Sequence, residues 1–171
     1  MDILTPAQRS ERMARIRSSN TAPELSLRKQ LHALGLRYRL GGAGLPGKPD
    51  LVLPRYRTAI FVHGCFWHRH SGCSIATTPK SRTQFWLQKF ERNTDRDRRV
   101  TQELKDLGWL VLIAWECELN STARARATVD RLAVELKRAC RLIVSSDTSP
   151  ARRVSRRPAR GTLNATAGSE E

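Results

Sequence analysis

With 171 residues the sequence has the length of one domain, enough to bury a core without disulfides. Its 31 Lys and Arg against 16 Asp and Glu leave a formal charge of +15, which points to a polyanionic partner. No apolar run approaches the ~20 residues of a membrane span, and the first residues, MDILTPAQRSERM, show no basic segment followed by an apolar one, so a soluble cytoplasmic protein is expected. Composition alone leaves DNA, RNA, an anionic membrane face and a merely solvated arginine-rich surface open.

Thr5-Pro6-Ala7-Gln8 reads as a helix start, with Thr as cap, Pro at the first helical position and Gln closing a capping box. The helix that follows carries Met13 and Ile16 on one side and arginines around the rest, and Ser18-Ser19-Asn20 ends it. A second box, Thr21-Ala22-Pro23-Glu24, opens a helix whose Leu27, Leu31 and Leu34 recur at helical spacing, with Gly35 placed to stop it. Residues 36–40 then alternate as a half-buried strand, Leu36, Tyr38 and Leu40 against Arg37 and Arg39. After a glycine-rich loop, residues 49–53 and 58–62 form two more strands, and three so close predict an antiparallel meander.

An irregular stretch rich in His, Cys and aromatics follows, from residue 63 to 80. Ser81 and Gln84 predict the capping box of a long helix that Gly108 ends. The uninterrupted apolar run WLVLIAW, residues 109–115, predicts a central strand that the long helix, as a crossover, places beside the meander. A last helix is expected over residues 123–139. From residue 145 the composition shifts to Ser, Pro, Arg, Thr and Gly, so the folded domain is taken as 1–144 and residues 145–171 as a disordered basic tail. This order brings Asp50 and His63 to the ends of adjacent strands.

With no export signal, the cysteines favour metal ligation over disulfides. Cys65, His70 and Cys73 share a loop poor in aliphatic side chains, and Cys117 follows a strand that can end beside it. Together they make a Cys3His set suited to structural zinc. Cys140 competes as fourth ligand but reads better as core filling, and buried free thiols are the plainer alternative. His63 and His68 then remain for proton transfer. Asp50 at a strand start can bind magnesium or simply cap its own turn, and its capping-box position already explains Glu24. Phe66 and Trp67, with Trp86, either plug a small core or project as a wedge between bases. Lys89 and Asn93 share the Trp86 face of the long helix and can hydrogen-bond base edges or stay solvated.

The blocks GLPGKPDLVL, FVHGCFWHRH, RTQFWLQKF, NTDRDRR and GWLVLIAWEC, in this order between residues 5 and 120, resemble the very short patch repair DNA mismatch endonucleases. The resemblance implies an α/β, restriction-endonuclease-like fold with a mixed central sheet flanked by helices and a structural zinc site. It implies an enzyme that nicks one strand 5′ of the T in a T:G mismatch left by deamination of 5-methylcytosine. Carried over, Asp50 looks like the magnesium-binding carboxylate and Val62 the residue whose backbone carbonyl also reaches the metal. His63 and His68 look like the catalytic histidines, Glu24 the acid that supports them, and Cys65, His70, Cys73 and Cys117 the zinc ligands. One residue is inserted before Cys73. Phe66, Trp67 and Trp86 resemble the intercalating aromatics, aided by Met13, and Lys89 and Asn93 the contacts to the mismatch. Hydrolysis is expected to run through a water activated by His68 with Glu24 behind it. The implied enzyme is a monomer on double-stranded DNA, with mismatch-repair proteins as possible partners.

Two other classes stay open at this point. A zinc-dependent DNA-binding module would share the charge and the Cys/His set but make no use of Asp50. A restriction-type nuclease would cut both strands of matched sites. The roles of Arg96, Asp97 and Glu116 are open.

Overall fold

The computed structural model describes residues 19–147 together with Thr5, Gln8 and Glu11. Met13, with most of the first expected helix, and residues 148–171 lie outside the described residues. The first capping box is formed: Thr5 N–H donates to Gln8 Oε1 at 2.9 Å and Gln8 N–H to Thr5 Oγ1 at 3.2 Å.

Helix α1, Ala22–Ala33, starts behind Thr21 with Pro23 in its first turn, where the missing N–H costs nothing. Leu27 and Leu31, four residues apart, are fully buried; burial of each stabilises by about 1.5–3 kcal/mol. Gly35, at φ +75°, closes the helix by donating to the His32 carbonyl. Leu34, expected on the same face, is exposed.

Strand β1, Leu51–Leu53, pairs antiparallel with β2, Thr58–His63, in the register Leu51↔Ile60, Val52↔Ala59 and Leu53↔Thr58. The third strand of the expected meander shrinks to a single bridge, Arg39↔Val52, closed by two backbone hydrogen bonds. The chain cannot continue alongside β1, because the glycine-rich 3-10 turn Gly41–Gly44 bends it away and leaves Leu40 exposed. Gly47, at φ +69°, lets the loop lie against Val100: a Cβ there would stand 2.3 Å from Val100 Cγ1.

Helix α2, Thr83–Asp106, crosses over to β3, Leu110–Trp115, which pairs parallel with β2 from Thr58↔Leu110 to His63↔Trp115. The expected box at Ser81 is not the cap. The N-cap position falls on Arg82 in the left-handed region, and the Thr83 hydroxyl donates to the carbonyls of Pro79 and Lys80. Helix α3, Thr122–Asp147, runs past both the expected end and the composition change at Ser145.

The sheet order is β1-β2-β3, so β3 is an edge strand of the described sheet and β2 is central, reversing the expectation for WLVLIAW. That run is apolar because helices cover both faces. Leu112 and Ala114 join Leu51, Leu53 and Ile60 against α1 and α3, through Leu27, Leu31, Val129, Leu132 and Leu136. Val111 joins Ala59 and Phe61 against Val100 and Leu104 of α2. The result is an α/β fold with a mixed three-stranded sheet flanked by helices, and its polar business is gathered where β2 and β3 end.

Candidate nuclease site and metal centre

Asp50 stands just before β1, opposite the end of β2, and its Oδ2 accepts the Val62 N–H at 2.7 Å. In an extended strand the N–H and C=O of one residue face the same edge, so the Val62 carbonyl faces the edge on which Asp50 sits. Carboxylate and peptide carbonyl are the oxygen donors a hard divalent cation takes, and these two residues fit magnesium. Burial pushes the Asp50 carboxyl above the usual carboxylate range, opposed by the Val62 N–H and raised further by Glu24. Glu24 is therefore close enough to be felt at Asp50, while Arg28 pulls the other way.

His63 ends β2 and is buried; its ring stacks on His68 with centroids 3.9 Å apart. His68 is carried back to that position by a turn in which its N–H donates to the Gly64 carbonyl. Burial and the adjacent His68 push His63 down to about 4, so it is a neutral imidazole near neutral pH.

The carboxylate on His68 is Asp97 of α2, with Nδ1 and Oδ2 2.5 Å apart. Glu24 was the expected partner, but its carboxylate is occupied elsewhere: it accepts from the Asn20 N–H, the Thr21 hydroxyl and Arg28 Nη2, all on or beside the first turn of α1. Burial alone would raise Asp97, yet the His68 hydrogen bond and the imidazole charges hold it below the usual carboxylate range. Sequence reasoning left Asp97 unassigned. Nothing in the local pattern marked it; in the structure Asn93, one helical turn earlier, donates its side-chain N–H to the Trp67 carbonyl and so seats this face of α2 against the loop.

Cys65, His70, Cys73 and Cys117 bring one ligand atom each to within 4.8 Å of one another. Cys65 Sγ is 3.6 Å and Cys117 Sγ 3.3 Å from His70 Nδ1. Those separations suit four donors around one tetrahedral ion. The hydrogen bonding agrees: the Cys73 thiol is lowered by backbone N–H groups of Ile75 and Ala76, and Cys65 receives that of Cys117. Burial pushes the Cys65 thiol up to about 12, so its thiolate needs a cation beside it. Cys140 is not part of the group. Turns from His70 N–H to Cys65 and from Cys73 N–H to His70 wind the loop around the set, and Glu116 fixes Cys65 by accepting its N–H at 3.2 Å.

Trp115, the last residue of β3, stands between the two clusters. Its ring stacks on His70 at 4.1 Å, and His63 meets it edge-on at 5.4 Å.

Beside the histidines lies an aromatic group. Phe66 contacts Trp67, Trp86 and Phe90 edge-to-face at centroid distances of 5.0–5.5 Å. Trp86 and Phe90 are buried, so Trp86 backs the group rather than projecting from it, and Phe66 and Trp67 are its partly exposed members. Lys89 Nζ lies 5.0 Å from the Trp67 ring centroid, a cation over the platform. Arg69 lies over Phe90 and donates to Thr77 and Thr78, pinning the loop that follows the metal set.

Comparison with known proteins places this arrangement in company. Residues 1–74 match the family model of the DNA mismatch endonuclease Vsr. The type II nicking enzyme V.NmeAIP of Neisseria meningitidis serogroup A is 45% identical over 136 residues, 80% of this chain and 96% of that protein. V.XorIIP of Xanthomonas oryzae pv. oryzae, another type II nicking enzyme, is 46% identical over 126 residues, 74% of this chain and 92% of its own. The DNA mismatch endonuclease Vsr of Escherichia coli K12 is 44% identical over 136 residues, 80% and 85% of the two chains. No helix among the described residues is long and apolar enough to cross a membrane.

Proposed function

The chain belongs to the Vsr family of DNA mismatch endonucleases, and from that premise we propose that it nicks one strand of duplex DNA 5′ of the T in T:G mismatches, by magnesium-dependent hydrolysis. It is a DNA endonuclease. The observation that carries the hydrolytic reading is the His63–His68–Asp97 group at the exit of β2, next to the strand position where Asp50 accepts the Val62 N–H, with Lys89 over the Trp67 ring of the following loop.

Asp50 and the Val62 carbonyl would hold magnesium, which when bound supplies positive charge against the attacked phosphate and the leaving oxygen. His68 donates from Nδ1 to the Asp97 carboxylate, which leaves Nε2 as the acceptor for a proton from the attacking water. His63, stacked on His68, fixes the plane of that ring and contributes an uncharged face to the site. Glu24 serves the Asp50 side of the site rather than His68. Cys65, His70, Cys73 and Cys117 would hold zinc, whose chemistry is structural: it replaces a core in a loop with little aliphatic content.

Phe66 and Trp67 form the wedge, backed by Trp86, with Lys89 and Asn93 along the same face of α2. A T:G pair opens at lower cost than a matched pair, so intercalation converts weaker stacking into recognition. The chain acts as a monomer on double-stranded DNA, and partner mismatch-repair proteins would act on the nick it leaves.

The test is a nicking assay on duplexes labelled on each strand, carrying T:G or matched T:A at one position, in magnesium or with chelator. Cleavage of the T strand alone, only with T:G and magnesium, is the expected result. Cleavage of both strands of the matched duplex would replace this reading with a restriction-type one, and binding without cleavage would leave a DNA-binding module.

A further inference from the structure

The aromatic group behind the wedge is covered at Trp86 and Phe90, but Phe85, on the first turn of α2, is 41% exposed. Its ring meets Trp86 edge-to-face at 5.4 Å and belongs to neither hydrophobic core cluster. An exposed ring alone needs no explanation; this one has gathered two cations. Arg82 Cζ lies 4.9 Å from its centroid and Lys89 Nζ 5.9 Å. The same ammonium is 5.0 Å from the Trp67 centroid and 5.8 Å from that of Trp86. Arg82, Phe85 and Lys89 therefore continue the Trp67 platform toward the start of α2.

Arginines elsewhere on the helices are held differently. Arg98, Arg99 and Arg126 each lie 3.0–3.8 Å from a carboxylate within about one turn of their own helix. Among the described residues neither Arg82 nor Lys89 makes an ion pair. The distinction matters chemically. A carboxylate occupies the N–H fork it pairs with, whereas an aromatic face fixes the position of the cation and leaves its N–H donors for another acceptor. Arg82 also stands at φ 52°, in the left-handed region, at the N-cap of α2. The Thr83 hydroxyl closes that turn on the carbonyls of Pro79 and Lys80, so the guanidinium is carried by a fixed piece of chain. Cations held on rings at the rim of a stacking platform complement a polynucleotide backbone, which carries a phosphate at every step.

We propose that Arg82 and Phe85 extend the wedge as a backbone clamp: Phe85 holds the Arg82 guanidinium over its ring, and Arg82 takes a DNA phosphate flanking the mismatch. The inference rests on the proposed function, because it takes the Phe66–Trp67 edge as the part of the chain that enters the duplex.

The experiment measures Kd of the full chain for a T:G duplex by fluorescence anisotropy, without magnesium and over a series of salt concentrations. Parent, Arg82→Gln, Phe85→Leu and the double variant are compared, and a neutral methylphosphonate then replaces each phosphate near the mismatch in turn. Arg82→Gln weakens binding by about fivefold at roughly 0.15 M salt and lowers the slope of log Kd against log salt by about 0.9, the worth of one phosphate contact. One methylphosphonate position weakens the parent to the same extent and leaves Arg82→Gln unchanged. Phe85→Leu, which keeps the apolar bulk but not the π face, moves part of the way in both readouts, and added to Arg82→Gln it weakens binding no further. The parental salt slope or the parental methylphosphonate profile in Arg82→Gln overturns the proposal, as does parental binding by Phe85→Leu. Folding is checked by thermal melting; if Phe85→Leu does not fold, the two Arg82→Gln readouts decide alone. A parent that fails to nick T:G duplex overturns the proposed function instead, and the salt slope, which needs neither cleavage nor a mismatch, still decides on Arg82.

Discussion

Two clusters of ligand-type side chains hang from the same strand end and share the chain from His63 to His70, yet they are built on opposite terms. The Cys65, His70, Cys73 and Cys117 set is closed: donors of one ion's first coordination sphere face inward, tied by backbone turns and by Glu116. The other side is looser: Asp50 holds the Val62 N–H before β1, while His63, His68 and Asp97 form a group in which His68 is tied to a carboxylate and stacked on His63. Trp115 stands between them, stacked on the closed side and edge-on to the looser one. Soft thiolates and one imidazole select a structural ion, while carboxylate and carbonyl oxygens select a hard catalytic one. The contrast in donor chemistry, thiolates and imidazole on one side of an indole ring and carboxylates with imidazoles on the other, would favour different ions on the two sides.

The comparison can be broken most sharply on the looser side. Asp50→Asn should lower nicking by on the order of 10³-fold, with bound zinc and melting temperature at parental values by metal analysis and calorimetry; retained nicking would take hydrolysis away from this cluster. His68→Ala should lower kcat by about 10²–10⁴-fold and Asp97→Asn by about 10²-fold, since the latter only frees the ring to turn. A parental rate in Asp97→Asn would return the supporting role to Glu24.

On the closed side, Cys117→Ala should abolish stoichiometric zinc and lower the melting temperature by about 10 °C or more, whereas Cys140→Ala keeps the metal. Equal zinc in the two variants would dissolve the distinction between the clusters. Trp67→Ala, between them, should weaken mismatch nicking by about tenfold, the worth of roughly one stacked base, without loss of zinc. Smallest of all for activity is Gly47→Ala, in the loop before Asp50, which supplies no side chain to either set. It should leave kcat unaltered while the clash with Val100 costs about 1–3 kcal/mol in denaturant unfolding.

Much of this was legible in the chain because it is written in local patterns. The helices followed from leucines at helical spacing and from proline and glycine at their ends. Of the expected capping boxes, however, only Thr5–Gln8 forms, Thr21 making no side-chain cap hydrogen bond and Ser81 not being the cap. The closed set followed from residue types that have few other uses in an unpaired-cysteine protein. What was not legible depends on contacts distant in sequence. Asp97 reads as one acid among arginines on a long polar helix until Asn93 is seen to seat that helix on the loop. Glu24 looks equally suited to cap or to support the histidines, and its hydrogen bonds to Asn20, Thr21 and Arg28 turn it away from His68. The apolar run of β3 misled about its place in the sheet, since coverage by helices on both faces leaves the same imprint as a central position. Alternation at residues 36–40 gave the right face at Leu36 and Tyr38 but not at exposed Leu40, and not a strand, because the glycines that follow remove its continuation.

The parallel pairing of β2 with β3 has one further consequence. His63 lies opposite Trp115 as the last pair of the register, so Cys65 and Cys117 each leave the sheet two residues beyond the same rung, Cys117 within the 3-10 turn Glu116–Glu118. The two strand exits therefore deliver these thiols to the same end of the sheet. A single residue added between 63 and 65, or between 115 and 117, would put them out of step however well the rest of the chain adapted. An extra residue between His70 and Cys73 would be accommodated more readily, because that segment spans no strand. Length variation in homologous chains should thus be confined to the loop and forbidden at the two strand exits.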